Sequence, residues 1–262
     1  MAELTEEYVL EADYDPKAYM EFFNLNENSL EYEFIKFVLR HHYKTFTPGA
    51  VKGDTLISIS NSPAIYPLLS ACETFKEIII ADCRDQNCQE LQKWLKQEPG
   101  AFDWSQVGKY MCELEGGRHK WTEKEGKLRK TISHILKCDV HESKPLGPDV
   151  LPPADCLVSS FCLETVCKDQ SSYRAALKNI SSLLKPGGHL VLSGDLGTSF
   201  YMVGPKKFFC LVLTEEFLRG ALSAAGFAIQ EFDVLSRDDD TMQEICDCSG
   251  MYFIVARKEK VI

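Results

Sequence analysis

The chain has 262 residues, 45% of them hydrophobic and 26% charged, a balance that suits an ordinary globular α/β protein with room for an ample core. A net charge of -10, with no basic stripe, argues against a nucleic-acid binder. No apolar run approaches the ~20 residues needed to span a bilayer, and no basic-then-apolar N-terminus signals secretion, so no membrane partner is expected.

Residues 1–28 are acidic and punctuated by Tyr8, Tyr14, Tyr19, Phe22 and Phe23. Apolar spacing at Phe34, Phe37, Val38 and Tyr43 predicts an amphipathic helix over 31–46, N-capped at Asn28-Ser29 and stopped by Thr47-Pro48-Gly49. Thr55–Ile59 reads as a buried strand that ends in the tight turn Ser60-Asn61-Ser62-Pro63. Ala64–Thr74 is then expected as a helix, Glu77–Ala81 as a second buried strand ending at Asp82, and Gln86–Gln97 as a helix stopped by Glu98-Pro99-Gly100. From Ala101 to Gly126 the order loosens, and the stretch around Trp104, Gly116-Gly117 and Trp121 resembles an insertion. Lys127–Ile135 is predicted helix, Ile135–Val140 strand, and the proline-rich 143–153 loop. Ala154–Leu163 reads as a buried strand and Ser171–Leu184 as a helix closed by a tight turn at Lys185-Pro186-Gly187-Gly188. His189–Gly194 is a further strand ending at Asp195, Thr214–Ala225 a helix capped by Thr214, and Phe227–Leu235 and Met251–Arg257 the last two strands.

Strands alternating with helices imply right-handed crossovers and a mostly parallel sheet, with ligands beyond the carboxyl ends of its strands. Those ends bring together Ser60–Pro63, Asp82, Asp139, Ser159-Ser160 and Asp195. Asp82 follows the turn by roughly 20 residues, the spacing at which an acid accepts hydrogen bonds from a ribose diol; a solvated strand-end acid is the alternative. The eleven cysteines, odd in number and irregularly spaced, suit free thiols in a reducing cytoplasm. Cys246-Asp247-Cys248 lacks a second ligand pair, so it reads as incidental loop thiols and no metal is expected.

The chain resembles the nicotinamide, phenylethanolamine and indolethylamine N-methyltransferase family nearly end to end. Ordered blocks carry the likeness: Gly53-Asp54-Thr55-Leu56-Ile57, Ser62-Pro63-Ala64-Ile65-Tyr66, Leu91-Gln92-Lys93-Trp94-Leu95-Lys96, Lys137-Cys138-Asp139-Val140, Ser182 through Val191, Tyr201-Met202-Val203-Gly204 and Val255-Ala256-Arg257-Lys258. The resemblance implies one domain over 1–262, with an N-terminal helical lid and helix over 1–46 and the core over 54–262. The implied core is a seven-stranded, mostly parallel Rossmann-like methyltransferase sheet with helices on both faces and its final strand antiparallel. It implies S-adenosylmethionine as cofactor, a small-molecule amine or heteroaromatic nitrogen as acceptor, and a monomer in the cytoplasm. Matched residue by residue, Asp82 and Asn87 fall on the ribose contacts and Asp139 and Val140 on the adenine contacts. Tyr19, Phe23, Ser60, Asn61, Tyr66 and Ser160 fall along the rest of the cofactor, and Asp195 and Tyr201 in the acceptor pocket.

Departures from the family pattern fall on the site. Relatives read L-I-D-I-G-S-G-P where this chain reads Leu56-Ile57-Ser58-Ile59-Ser60-Asn61-Ser62-Pro63, so one acid and both glycines of the cofactor turn are replaced. The two added Cβ atoms should cost cofactor affinity through clash or backbone strain, and a serine forced to positive φ there would cost ~1 kcal/mol. Phe22-Phe23 replaces a tyrosine pair, Phe209-Cys210 a serine pair, and Asp238-Asp239-Asp240 a Ser/Tyr-rich stretch. Two readings follow: an S-adenosylmethionine-dependent methyltransferase acting on a small nitrogen acceptor, or a non-catalytic protein that keeps the fold and binds small molecules.

Overall fold

The computed structural model describes residues 14–23, 30–47, 49–117, 120–148, 151–237 and 244–259. The expectations placed on Tyr8, on the Asn28-Ser29 cap and on Asp238-Asp239-Asp240 lie outside the described residues.

Seven strands form one sheet: β1 (Gly53–Ser60), β2 (Phe75–Asp82), β3 (Ile132–Lys137), β4 (Ala154–Ser160), β5 (Leu184–Leu196), and two later strands, β8 (Phe227–Ser236) and β9 (Gly250–Lys258). β6 (Phe200–Val203) and β7 (Lys206–Phe209) pair separately as an antiparallel hairpin. The sheet order is β3-β2-β1-β4-β5-β9-β8, parallel from β3 through β5, with β9 antiparallel to both of its neighbours. Order therefore reverses between β1 and β4, and a ligand crevice opens at the carboxyl ends of those strands.

Period-2 alternation of apolar side chains explains why these strands bury both faces. Leu56, Ile78, Ile80, Val158, Val191 and Phe253 point into one core, while Ile57, Ile59, Ile79, Leu157, Leu190 and Ile254 point into the other. The first core is covered by α2 (Leu30–Phe46), α4 (Ser105–Leu114) and α5 (Trp121–Thr131), together with the Leu91-Trp94 face of α3 (Asp85–Leu95). The second lies under α7 (Gln170–Ser181) and α8 (Glu215–Ala224). Two short helices, α1 (Pro16–Met20) and α6 (Leu163–Val166), flank the crevice.

Several local expectations are corrected. Ala64–Thr74 is not a continuous helix but two 3-10 turns, Tyr66–Leu68 and Ala71–Glu73, because Pro67 has no N–H to donate. The apparent insertion holds α4 and α5; Gly108 on α4 lets the Trp121 ring lie on the helix, where a Cβ would sit 2.0 Å from it. Helix α5 thus begins six residues before the expected start and hands over at Thr131 to β3, which ends at Lys137 rather than Val140. Lys185–Gly188 is a bulge inside the long β5, with Gly187 at φ 81°, rather than the turn that closes the preceding helix, which ends at Ser181.

The Thr214 cap is present: its hydroxyl accepts from the Phe217 amide at 3.1 Å. Thr214→Ala should cost about 1 kcal/mol, lowering the thermal midpoint by roughly 2–4 °C in an unfolding scan.

Candidate active site

At the carboxyl ends of β1 and β2, Asp82 is fully buried and its carboxylate already accepts three hydrogen bonds from within the protein. Oδ1 accepts from the Arg84 amide at 2.8 Å and from Asn87 Nδ2 at 2.9 Å; Oδ2 accepts from the Ser60 hydroxyl at 2.6 Å. Burial raises its pKa to about 7, against the lowering effect of those hydrogen bonds. Parallel pairing places Ser60 directly opposite Asp82, so residue 60 reaches the acid as soon as it carries a side chain.

The turn itself is unstrained. Gln97 and Phe161 are the only non-glycine residues at positive φ among the described residues, so the serines at 60 and 62 sit in ordinary backbone. The expected conformational cost is absent, and what the substitutions add is chemistry rather than strain. Asn61 Nδ2 donates to Thr165 Oγ1 at 2.9 Å.

Two cavities flank this cluster. The larger, about 390 Å³, is lined by Cys83, Arg84, Cys138, Asp139, Val140 and His141 from the sheet side and by Tyr201, Phe208 and Phe209 from the hairpin. The smaller, about 130 Å³, is lined mainly by aromatic rings: Tyr14, Tyr19, Phe22, Phe23, Tyr66, Phe161 and Tyr201, with Asn61, Asp195, Cys246 and Cys248. Thr165 and Tyr201 belong to both walls.

The sequence-predicted residues are thus distributed as follows. Asp139 and Val140 lie on the larger cavity, and Tyr19, Phe23, Asn61, Tyr66 and Asp195 on the smaller, with Tyr201 between them. Asp82, Asn87 and Ser60 form the hydrogen-bonded cluster behind the walls, sealed from both cavities. Ser160 is buried beside Ser193, whose hydroxyl donates to it at 2.9 Å, and lines neither cavity. Phe23 is a packing residue of the lid, its ring centroid 5.2 Å from Tyr66 and 5.1 Å from Trp104. Cys246 and Cys248 lie outside the helices and strands and line the smaller cavity.

Three further residues escaped sequence reasoning. Arg84, one of the buried charged side chains, folds back into the crevice with its guanidinium 3.8 Å from the Tyr14 ring centroid and Nη1 donating to the Asn61 carbonyl at 3.3 Å. Glu164 lies buried below Asp195, accepting the Asp195 amide at 3.3 Å, and burial lifts its pKa to about 7. Asp195 is likewise pushed well above the usual carboxylate range, by burial first and then by the neighbouring Cys248, Glu164 and Asp247. Phe161 lines the smaller cavity at φ 48°, a conformation rare for a bulky residue, and its position just after β4 is the only sequence signal it gives.

Whether an adenosine-bearing cofactor suits these residues can be judged from the polar atoms left over. The Oδ1 atoms of Asn61 and Asn87 are buried acceptors without a hydrogen-bond partner among the described residues. Both flank the Asp82 cluster and are suited to hydroxyl and ammonium donors. The residues fit such a group, provided the Ser60 hydroxyl yields its place on Asp82.

A parallel sheet that reverses order at β1, an antiparallel β9 beside β5, and acids ending adjacent strands define the α/β methyltransferase architecture. A magnesium protoporphyrin IX methyltransferase from Synechocystis PCC 6803 with bound SAM shares it, at a TM-score of 0.57 and 10% identity over 93% of this chain and 90% of that one. The chain belongs to the NNMT/PNMT/TEMT family, whose model matches residues 3–259. It is 49% identical to nicotinamide N-methyltransferase of Sus scrofa, over 94% of this chain and 93% of the relative. It is 46% identical to indolethylamine N-methyltransferase of Mus musculus, over 95% and 94%.

Proposed function

We propose that this protein transfers a methyl group from S-adenosylmethionine to the nitrogen of a small amine or heteroaromatic acceptor, acting as a monomer in the cytoplasm. The observation that carries this reading is the pairing of two environments across Thr165 and Tyr201. Asp139 lines the cavity on one side, with Asp82 buried behind that wall, and Asp195 lines an aromatic cavity on the other. Eleven free thiols accord with a reducing compartment.

Asp82 and Asn87 would hold the ribose, Asp139 and Val140 the adenine, and Asn61 with Tyr19 and Tyr66 the amino-acid end. When bound, the cofactor supplies an electrophilic methyl group on a sulfonium. The chain's own contribution is positioning and exclusion of water: Tyr201, Phe161 and the lid aromatics enclose the acceptor, and Asp195 orients its nitrogen. Asp195, on the wall of the smaller cavity, is placed to take up the proton that an ammonium acceptor must shed to expose its lone pair, and Glu164 steadies it by accepting the Asp195 amide.

Incubation with methyl-deuterated S-adenosylmethionine and a panel of amines and pyridines, read by product mass, tests the reading. A labelled product that falls at least tenfold in Asp195→Asn is expected. No product with any acceptor, from folded protein, would contradict it.

Ionisation of Asp82 adds a pH signature. The carboxylate accepts both ribose hydroxyls only when deprotonated, so affinity for S-adenosylhomocysteine should be level above pH 7. Below it, affinity should fall by about tenfold per unit, measured by calorimetry between about pH 5.5 and 8.

One observation favours a second reading, a non-catalytic family member that binds small molecules: Asp82 already accepts hydrogen bonds from Ser60, Arg84 and Asn87. Measurable ligand binding with no turnover on any acceptor would favour it over the first.

A further inference from the structure

Cys83 and Cys138 stand side by side where β2 and β3 leave the sheet. The parallel register pairs Asp82 with Lys137, so the next position on each strand is one of these thiols, and the Cys138 amide donates to the Asp82 carbonyl at 2.9 Å. Their sulfurs are 3.5 Å apart. Neighbouring strands lie about 4.8 Å apart, inside the Cα separation that ordinary disulfides span. Closing the sulfurs by roughly 1.5 Å to bonding distance therefore needs side-chain rotation rather than a shift of either strand. Both thiols line the larger cavity, with Cys83 half-buried and Cys138 3% exposed, so a small oxidant entering that cavity reaches them.

Cys83 is also set apart chemically. The Cys138 thiol beside it holds the Cys83 thiol well below the usual range, whereas burial pushes Cys156 and Cys167 up. A thiolate at this place has the Cys138 thiol 3.5 Å away to resolve an oxidised sulfur.

We propose that Cys83 and Cys138 are a peroxide-responsive thiol pair, oxidised to a disulfide at the wall of the larger cavity. In the first step the Cys83 sulfur attacks hydrogen peroxide and its O–O bond breaks. Cys83 becomes a sulfenic acid, and the departing hydroxide takes the thiol proton to leave as water. In the second step the Cys138 sulfur attacks the sulfenic sulfur, and its hydroxyl leaves with the Cys138 proton as a second water. Two thiols lose two electrons and two protons, and one peroxide is reduced to two waters.

The bridge would tie together the residues that follow Asp82 and precede Asp139. Coupling to cofactor affinity rests on the methyltransferase reading; formation of the bridge does not. Bridged protein should bind S-adenosylhomocysteine about tenfold more weakly, and by reciprocity saturating S-adenosylhomocysteine should disfavour the bridge by the same factor.

The test is treatment of the full-length protein with a small excess of hydrogen peroxide, alkylation of remaining thiols, and peptide mapping by mass spectrometry. The expected result is a Cys83–Cys138 linked peptide lighter by two hydrogens, reversed by dithiothreitol and absent from Cys83→Ser. Protein that is oxidised without that linkage, or that stays fully reduced, overturns the proposal. A linkage whose equilibrium extent in a thiol–disulfide buffer is the same with and without saturating S-adenosylhomocysteine leaves the thiol pair standing and counts against the coupling to the cofactor instead. Because the wild-type map gives the decisive result, a variant that folds poorly does not obscure it.

Discussion

Ser60→Gly is expected to tighten S-adenosylhomocysteine binding by about tenfold, and Asp82→Asn to weaken it by at least as much in either background. The Ser60 hydroxyl donates to Asp82 Oδ2 at 2.6 Å, in a pocket where Asp82 is fully buried. A ribose hydroxyl must displace that donor, and a hydrogen bond to a charged group contributes about 1.5–3 kcal/mol, of which tenfold is 1.4. Glycine removes the competitor and leaves the backbone free to adopt the same turn, since residue 60 is not at positive φ. Adding Ser62→Gly and Ser58→Asp should contribute less, because the serine hydroxyl on Asp82 is that of Ser60. Calorimetric titration of the single and double variants measures this. Unchanged affinity in Ser60→Gly would mean that the serine does not occupy the ribose position.

Lys124→Ala should destabilise the protein by about 3–5 kcal/mol, lowering the thermal midpoint by roughly 10 °C. The Lys124 side chain is completely buried on α5. Its ammonium donates to Glu115 Oε1 at 2.9 Å, to Glu73 Oε1 at 3.0 Å and to the Leu69 carbonyl at 3.1 Å. Truncation strands the buried Glu115 carboxylate in a site with little access to water. Most of the loss comes from that stranded charge, so pairing Lys124→Met with Glu115→Gln should recover a large share of it. Thermal unfolding of both variants decides the matter, and a Lys124→Ala midpoint within 2–3 °C of wild type would contradict the account.

Much of this architecture is legible in the sequence because its strands are apolar on both faces and its acids stand at their ends. Leu56-Ile57, Ile78-Ile79-Ile80 and Leu190-Val191-Leu192 announce central parallel strands, and Asp82, Asp139 and Asp195 announce the crevice. What escaped notice depended on tertiary context. Helices α4 and α5 are masked by Gly108, whose purpose is apparent only once the Trp121 ring is seen lying on it. The β6–β7 hairpin has no apolar alternation of its own, and its rings gain their places from Tyr14 and the lid.

Within the site, sequence identified the serine-substituted turn and expected clash or backbone strain from its added side chains. The backbone is relaxed, and the Ser60 hydroxyl is bonded to Asp82. Arg84 and Glu164 were invisible because a charged residue in a linear sequence reads as solvated. Only the fold brings Arg84 onto Tyr14 and Glu164 beneath Asp195.

The central claim is that this crevice still holds an adenosine-bearing cofactor despite its altered turn. Isothermal titration of the folded protein with S-adenosylhomocysteine tests it most directly. The account predicts one-to-one binding, weaker below pH 7, lost in Asp82→Asn and strengthened in Ser60→Gly. No heat at high-micromolar ligand, from protein shown to be folded, would contradict it.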